Sequence, residues 1–195
     1  MTPIELVVVG GSWGGLDATC RLLSNTPAPV PVPVVLVLHR ARTSDATMLA
    51  AVLRRCCGQR AVEADDKSPL EAGTVLVAPP DYHLLVEDGV VSLSTEAPVN
   101  YSRPSIDVAF DSAAQAYGAG LVAVLLTGTG SDGAEGIRHV KRRAGRTMVQ
   151  DPVSAERGDM PGSALATGAV DDVGTPEELG GMLSTVLAPS GGKEG

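Results

Sequence analysis

Aromatic side chains are nearly missing from this chain: one Trp, three Tyr and one Phe supply only 3% of its 195 residues. Its core must therefore be filled by Val, Leu and Ala, and a hydrophobic fraction of 44% suits parallel strands covered by helices. Basic residues are also in deficit, with 15 Lys and Arg against 23 Asp and Glu and a net charge of −8. Duplex-binding proteins need basic patches to displace counterions, so no nucleic-acid partner is expected. The one basic cluster, Arg138, Lys141, Arg142 and Arg143, reads as the solvated face of a helix. Cysteine is sparse and unpatterned. Cys20, Cys56 and Cys57 are odd in number, two are adjacent, and none has a metal-binding spacing, so reduced thiols and no metal are expected. No apolar run reaches the ~20 residues of a membrane span, and residues 1–20 lack the basic start and cleavage site of a signal peptide. A cytoplasmic protein without membrane insertion is the expectation.

What is present is the alternation of an α/β chain. An apolar strand over residues 4–9 runs into Gly10-Gly11-Ser12-Trp13-Gly14-Gly15, after which Leu16, Cys20 and Leu23 recur at helical spacing. A Pro-rich link then delivers a second strand over 34–38 that closes on His39. Strand, helix, strand in this order is a parallel, right-handed crossover. Further on, a helix is predicted over 44–57, with Met48, Leu49, Val52, Leu53 and Cys56 on one face, then a strand over 74–78. The stretch 83–94 reads as a hairpin turning at Asp88-Gly89. Ile106, Ala109, Phe110, Ala113 and Tyr117 mark a helix opened by Pro104. A buried strand over 121–126 leads into Thr127-Gly128-Thr129-Gly130-Ser131-Asp132-Gly133 and a helix carrying Ile137 and Val140. Strands over 147–150 and 169–173, a short helix near Met160-Pro161 and a last helix with Leu179 and Leu183 complete the pattern. The fold class is a doubly wound, mostly parallel α/β sheet with a small hairpin insertion. One domain over residues 1–188 and a flexible tail over 189–195 are expected.

In open α/β sheets ligands sit beyond the carboxyl ends of the strands, and three residues of complementary chemistry fall there. Ser12 follows the first strand, His39 the second, and Asp132 the strand over 121–126. Gly10-Gly11-Ser12-Trp13-Gly14 matches the G-x-S-x-G turn that exposes a serine oxygen between strand and helix. A serine hydroxyl is a weak nucleophile until a base takes its proton, and the base needs an orienting carboxylate. His39 is the best-placed base. His139 lies among Arg138 and Lys141 on an exposed face, and His83 reads as part of a surface loop. The blander assignments are that Ser12 caps the following helix and that Asp132 caps its own. A dinucleotide reading is also open, because Gly10, Ser12 and Gly15 occupy the slots of G-x-G-x-x-G. Against it, a serine replaces the middle glycine, and His39-Arg40 stands where an acid is expected.

Several motifs together resemble the catalytic domain of CheB, the protein-glutamate methylesterase family of bacterial chemotaxis. They are the serine turn from Val9 to Leu16, the strand ending at His39, the Arg-Pro-Ser-x-Asp-x-x-Phe run from Arg103 to Phe110, and the Leu-Thr-Gly-x-Gly-x-Asp-Gly loop from Leu126 to Gly133. Weaker matches run from Ala78 to Leu84 and through Met160-Pro161. The resemblance implies a serine esterase with Ser12, His39 and Asp132 as its triad and the backbone N–H groups of Trp13 and Thr129 as oxyanion donors. It implies hydrolysis of glutamate γ-methyl esters on chemoreceptor helices, in some members with glutamine deamidation, and no cofactor. Trp13 departs from the family's usual Thr and Thr129 from its common Met, so the indole is expected to narrow the site or alter the substrate, and a catalytically degenerate regulatory module on the same fold is the alternative reading beside the nucleotide-binding one. Full-length members also carry an N-terminal receiver domain, whereas this chain begins at the first catalytic strand. Regulation is therefore expected from expression or from a separate protein.

Overall fold

The computed structural model of the chain describes residues 2–41 and 46–188. Seven parallel strands form one sheet in the order β3-β4-β2-β1-β7-β8-β9. They are β1 (Leu6–Gly11), β2 (Val34–Leu38), β3 (Arg60–Glu63), β4 (Thr74–Val77), β7 (Leu121–Leu125), β8 (Arg146–Gln150) and β9 (Asp172–Gly174). An antiparallel hairpin of β5 (His83–Val86) and β6 (Val91–Ser94) stands apart, its turn carried by Gly89 at φ 74°. The helices are α1 (Gly15–Ser24), α2 (Ala46–Cys57), α3 (Ile106–Tyr117), α4 (Ala134–Arg142), α5 (Asp159–Leu165) and α6 (Pro176–Leu187).

Alternation along the strands builds two cores. Val7 and Val9 of β1 face Leu22, Leu23, Leu53, Leu179 and Leu183 from α1, α2 and α6. Leu6 and Val8 face the opposite layer, where Ile106, Phe110, Ile137 and Met160 come from α3, α4 and α5, with Leu84, Val86 and Val91 of the hairpin. Both faces are thus covered, as an all-parallel sheet requires. Phe110 is fully buried, so the single phenylalanine is spent at the centre of one core. The last helix starts with Thr175 accepting from the Glu178 N–H while Glu178 returns the bond to the Thr175 N–H, and Pro176 follows the cap.

Chain order explains where the site must lie. From β1 the chain goes to β2, then out to the edge strand β3 and back in to β4 on one side, and then crosses to β7, β8 and β9 on the other. The strand order reverses between β1 and β7, and such a switch point opens a crevice beyond the strand ends. Ser12 and the segment 127–133 sit in the two loops that leave it.

Some expectations need correction. The edge strand β3 is not legible in the pattern, because Arg60 and Glu63 leave only Ala61 and Val62 apolar. The strand predicted over 169–173 pairs only at Asp172–Gly174. Met48 and Val52 do not join the buried stripe of α2; Leu49 and Leu53 do, and Met48 is 67% exposed. The expected start of α2 at Ser44, and the tail over 189–195, lie outside the described residues. His83 is not in a surface loop but opens β5, buried, with its ring taking the Ser105 N–H at Nδ1 and meeting the Ala97 carbonyl at Nε2. The thiols are not all reduced either. Cys20 on α1 and Cys56 on α2 form a disulfide, their Cα atoms 5.8 Å apart, and Cys57 alone stays a buried thiol. Helices packed side by side brought the pair together across 36 residues, which sequence spacing does not encode.

One close approach is testable. A Cβ on Gly10 would stand 2.4 Å from Cγ2 of the buried Ile106, because α3 lies directly on β1. Gly10→Ala is expected to destabilise the fold by about 1–3 kcal/mol through overpacking, read as a lower urea midpoint at unchanged slope.

Candidate active site

The parallel ladder places Ser12 beside His39. Register runs to Gly11 opposite Leu38, and the His39 N–H then reaches the Gly11 carbonyl at 3.1 Å, so Ser12 and His39 follow as the next pair. Ser12 donates its own N–H to the Thr127 carbonyl at 3.0 Å, tying the turn to the β7 loop. Gly128 can pass against Ser12 only because it lacks a side chain; a Cβ there would lie 2.8 Å from Cβ of Ser12 and 2.8 Å from Sδ of Met160. Ser12 does not cap α1. Gly14 holds the cap position at φ 74°, with no side-chain hydrogen bond, and Glu156 packs where a Cβ on Gly14 would go.

Asp132 is the most heavily solvated carboxylate in the site, and its solvent is protein. Oδ2 accepts from His39 Nε2 at 2.7 Å and from the Ile106 N–H at 2.7 Å. Oδ1 accepts from Ser105 Oγ at 2.8 Å, the Asp107 N–H at 3.1 Å and Asn100 Nδ2 at 3.1 Å. Asp132 therefore caps α3, not the helix that follows it. In exchange Asp107 Oδ1 accepts from the Gly133 and Gly136 N–H groups at the start of α4, at 3.0 and 2.6 Å. Burial alone pushes the Asp132 carboxyl up, but the bonds from His39, Ile106, Asn100 and Asp107 outweigh it and hold it below the ordinary carboxylate range. Asp107 goes the other way: burial raises it, and the charge of Asp132 adds to the rise. Because the ionised Asp132 can only accept, Nε2 of His39 carries the proton that faces it and Nδ1 presents its lone pair.

That lone pair faces a residue the sequence reading passed over. Ser102 Oγ stands 3.3 Å from His39 Nδ1, whereas among the described residues no hydrogen bond joins Ser12 Oγ to His39. Ser102 is the last residue of a tight turn in which Val99 and Ser102 exchange backbone hydrogen bonds around Asn100 and Tyr101, at φ 51° and 62°. Serine in a short loop carries no local signal for this role; only the approach of the turn to β2 creates it.

Ser12 and His39 also share a cavity of about 360 Å³ walled mostly by the aliphatic side chains of Leu16, Leu38, Met48, Leu49 and Val52, with Arg40 on its lining as well. Trp13 is not among its walls. Its indole turns outward, 59% exposed, donating Nε1–H to Glu156 at 2.5 Å with the Arg157 guanidinium 5.7 Å from the ring centre. Thr129 is exposed on the β7 loop. The Trp13 and Thr129 N–H groups have no backbone partner among the described residues. His139 sits on α4, paired with Asp111 and Glu135, away from this cluster.

Comparison with known proteins agrees with this architecture. The sequence model of the CheB methylesterase family matches residues 7–183. The chain belongs to the CheB methylesterase family. A solved relative, the CheB methylesterase catalytic domain of Thermotoga maritima, superposes with a TM-score of 0.88 at 30% identity, covering 95% of this chain and all of that one. A Leptospira interrogans protein named as a putative protein-glutamate methylesterase/protein-glutamine glutaminase is 41% identical over 90% of this chain and 91% of its own length. An Anaeromyxobacter dehalogenans protein-glutamate methylesterase/protein-glutamine glutaminase is 40% identical, but there the chain spans only 51% of the relative.

The depressed Asp132 pKa sets a sign for the pH dependence of stability. A carboxylate whose folded value lies below its unfolded one contributes stability above the unfolded value, near pH 4, and loses it as pH falls through the folded value. Asp132→Asn is therefore expected to be less stable than the parent by about 2 kcal/mol at pH 7, with the gap closing toward pH 2 in urea titrations.

Proposed function

We propose that this CheB-family protein hydrolyses protein glutamate γ-methyl esters through Ser12, His39 and Asp132. The observation that carries the reading is the 2.7 Å bond from His39 Nε2 to an ionised, buried Asp132, one register step from a serine at the sheet's switch point. Ser12 attacks the ester carbonyl and gives its proton to Nδ1 of His39, which hands it to departing methoxide. Asp132 holds the ring in the correct tautomer and steadies the imidazolium. The Trp13 and Thr129 N–H groups receive the developing oxyanion at the start of α1 and in the β7 loop. Water then repeats the sequence on the glutamyl ester of Ser12, releasing glutamate.

The relatives' names supply the substrate class, and the protein partners are accordingly methylated cytoplasmic helices of chemoreceptors, with glutamine side-chain amides as a second substrate. Among the described residues no helix is long and apolar enough to cross a membrane, which fits an enzyme working in the cytoplasm on receptor tails. The nucleotide-binding reading loses support, because His39 bonded to Asp132 occupies the end of β2 where a ribose-binding acid would stand.

A methanol-release assay on methylated receptor membranes tests the activity, and Ser12→Ala is expected to lower kcat by about 10³-fold or more. A fluorophosphonate should label Ser12 alone, and His39→Ala should abolish the labelling. An adduct on Ser102 instead would overturn the assignment of the nucleophile.

A further inference from the structure

His39 belongs to two cavities, one mostly aliphatic and one richer in polar groups, with Arg40 on the lining of both. Toward Ser12 lies the aliphatic one already described. A second cavity of about 450 Å³ also reaches His39, and there Asp81, Ser102 and Arg103 stand among Pro98, Tyr101 and Pro104. Its walls are firmly set. Arg103 is held by Asp81 at 3.0 Å and by the carbonyls of Thr95 and Glu96 at 2.8 and 2.9 Å, and Arg40 by Glu63 at 2.9 Å. A polar, roomy space beside a base is where water resides, whereas the aliphatic side suits the methylene chain of an acyl group.

Ser102 stands where the polar cavity meets Nδ1. Its hydroxyl has two acceptors to choose between, Nδ1 of His39 at 3.3 Å and the Asn100 carbonyl at 3.5 Å. Both contacts are long, so neither binds the proton tightly. When the hydroxyl turns to Asn100, Ser102 Oγ directs a lone pair into the cavity beside the lone pair of Nδ1. A water there finds two acceptors, one for each hydrogen, and its own lone pair is left free to attack.

We propose that Ser102 is the positioning residue for the hydrolytic water, and that the polar cavity is the path by which this water enters and methanol leaves. The inference rests on the esterase reading of the same site. In the deacylation step water oxygen bonds to the carbonyl carbon of glutamyl-Ser12 while one water proton passes to His39 Nδ1. The tetrahedral intermediate then breaks its bond to Ser12 Oγ, which takes that proton from His39. The products are the glutamate side chain and free Ser12, and the balance is one water per ester. Methoxide leaves along the same line in the first half-reaction, since leaving alcohol and attacking water occupy equivalent positions about the base.

The consequence is specific to one half of the cycle. Ser102→Ala should acylate at an unchanged rate and deacylate slowly. With p-nitrophenyl acetate as the probe, kcat and KM are both expected to fall about tenfold with kcat/KM within a factor of two of the parent, since kcat/KM reports only steps through acylation. Intact-protein mass spectrometry during turnover should show acetyl-enzyme accumulating in Ser102→Ala but not in Ser102→Thr, which keeps the hydroxyl. A parallel loss of kcat and kcat/KM with no accumulated acyl-enzyme would mean that Ser102 only braces His39, and the proposal would fall. The same holds if Ser102→Ala turns over like the parent. A parent protein that hydrolyses neither this ester nor receptor methyl esters would instead remove the esterase reading itself, and this proposal with it.

Discussion

Two helix N-termini converge behind the cleft that holds Ser12 and His39, and the exchange of carboxylates between them is the interaction on which the rest depends. Each terminus brings N–H groups without an intrahelical partner and a partial positive charge. Asp132, just ahead of α4, satisfies α3; Asp107, on α3, satisfies α4. Asp132 is buried and Asp107 half-buried, and two carboxylates so close repel each other; the supply of donors decides which one is held low. Asp132 takes five hydrogen bonds, including His39, and is held low, while Asp107 is driven up. The carboxylate held low is the one that faces the imidazole. Moving either helix would disturb both carboxylates and, through them, the tautomer of His39.

A consequence of that anchoring is that His39 is fixed from one edge and open along the other. Its Nε2 is committed to Asp132, and its Nδ1 looks across to Ser102 with the Ser12 cavity alongside. The residues around the ring differ in polarity, mostly aliphatic from β2, α1 and α2 and more polar from Asp81 and the 98–104 turn, with Arg40 reaching both sets. An ester has such a division itself, a hydrocarbon arm on one side of the carbonyl and an exchanging alkoxy or hydroxyl group on the other. The Trp13 side chain, which from sequence alone threatened to crowd Ser12, is drawn outward by Glu156 and Arg157 on the loop after β8. The departure from the family's usual residue therefore changes the rim beside Ser12 and leaves the lining of its cavity mostly aliphatic.

Much of the fold was readable because it rests on local rules. Buried parallel strands announce themselves as unbroken Val and Leu runs, and β1, β2, β4 and β7 all fell within a residue or two of expectation. The Asp88-Gly89 turn and the stripe of Ile106, Ala109, Phe110 and Ala113 were equally explicit. Failures came where the local signal is weak or misleading. The edge strand β3 has only Ala61 and Val62 apolar, between Arg60 and Glu63, over four positions. Met48 and Val52 have the right spacing for a buried stripe, yet they flank an opening in the sheet's covering instead of a core. His83 follows turn residues, but its ring is buried where the hairpin folds back toward the start of α3.

Ser12, His39 and Asp132 were legible as candidates because strand ends are positions that the hydrophobic pattern reveals, and their residue types are chemically complementary. The sequence by itself also determined the aliphatic cores, the parallel order of the units and the acidic character of the chain. Tertiary structure alone decided that Asp132 serves α3 instead of its own helix, that Cys20 meets Cys56, and that Ser102 lies at the open nitrogen of His39. The physical reason is the same in each case. Periodicity and propensity describe how a segment faces its neighbours along the chain, whereas these contacts arise between segments tens of residues apart, and the packing of whole helices and turns on the sheet sets their distances.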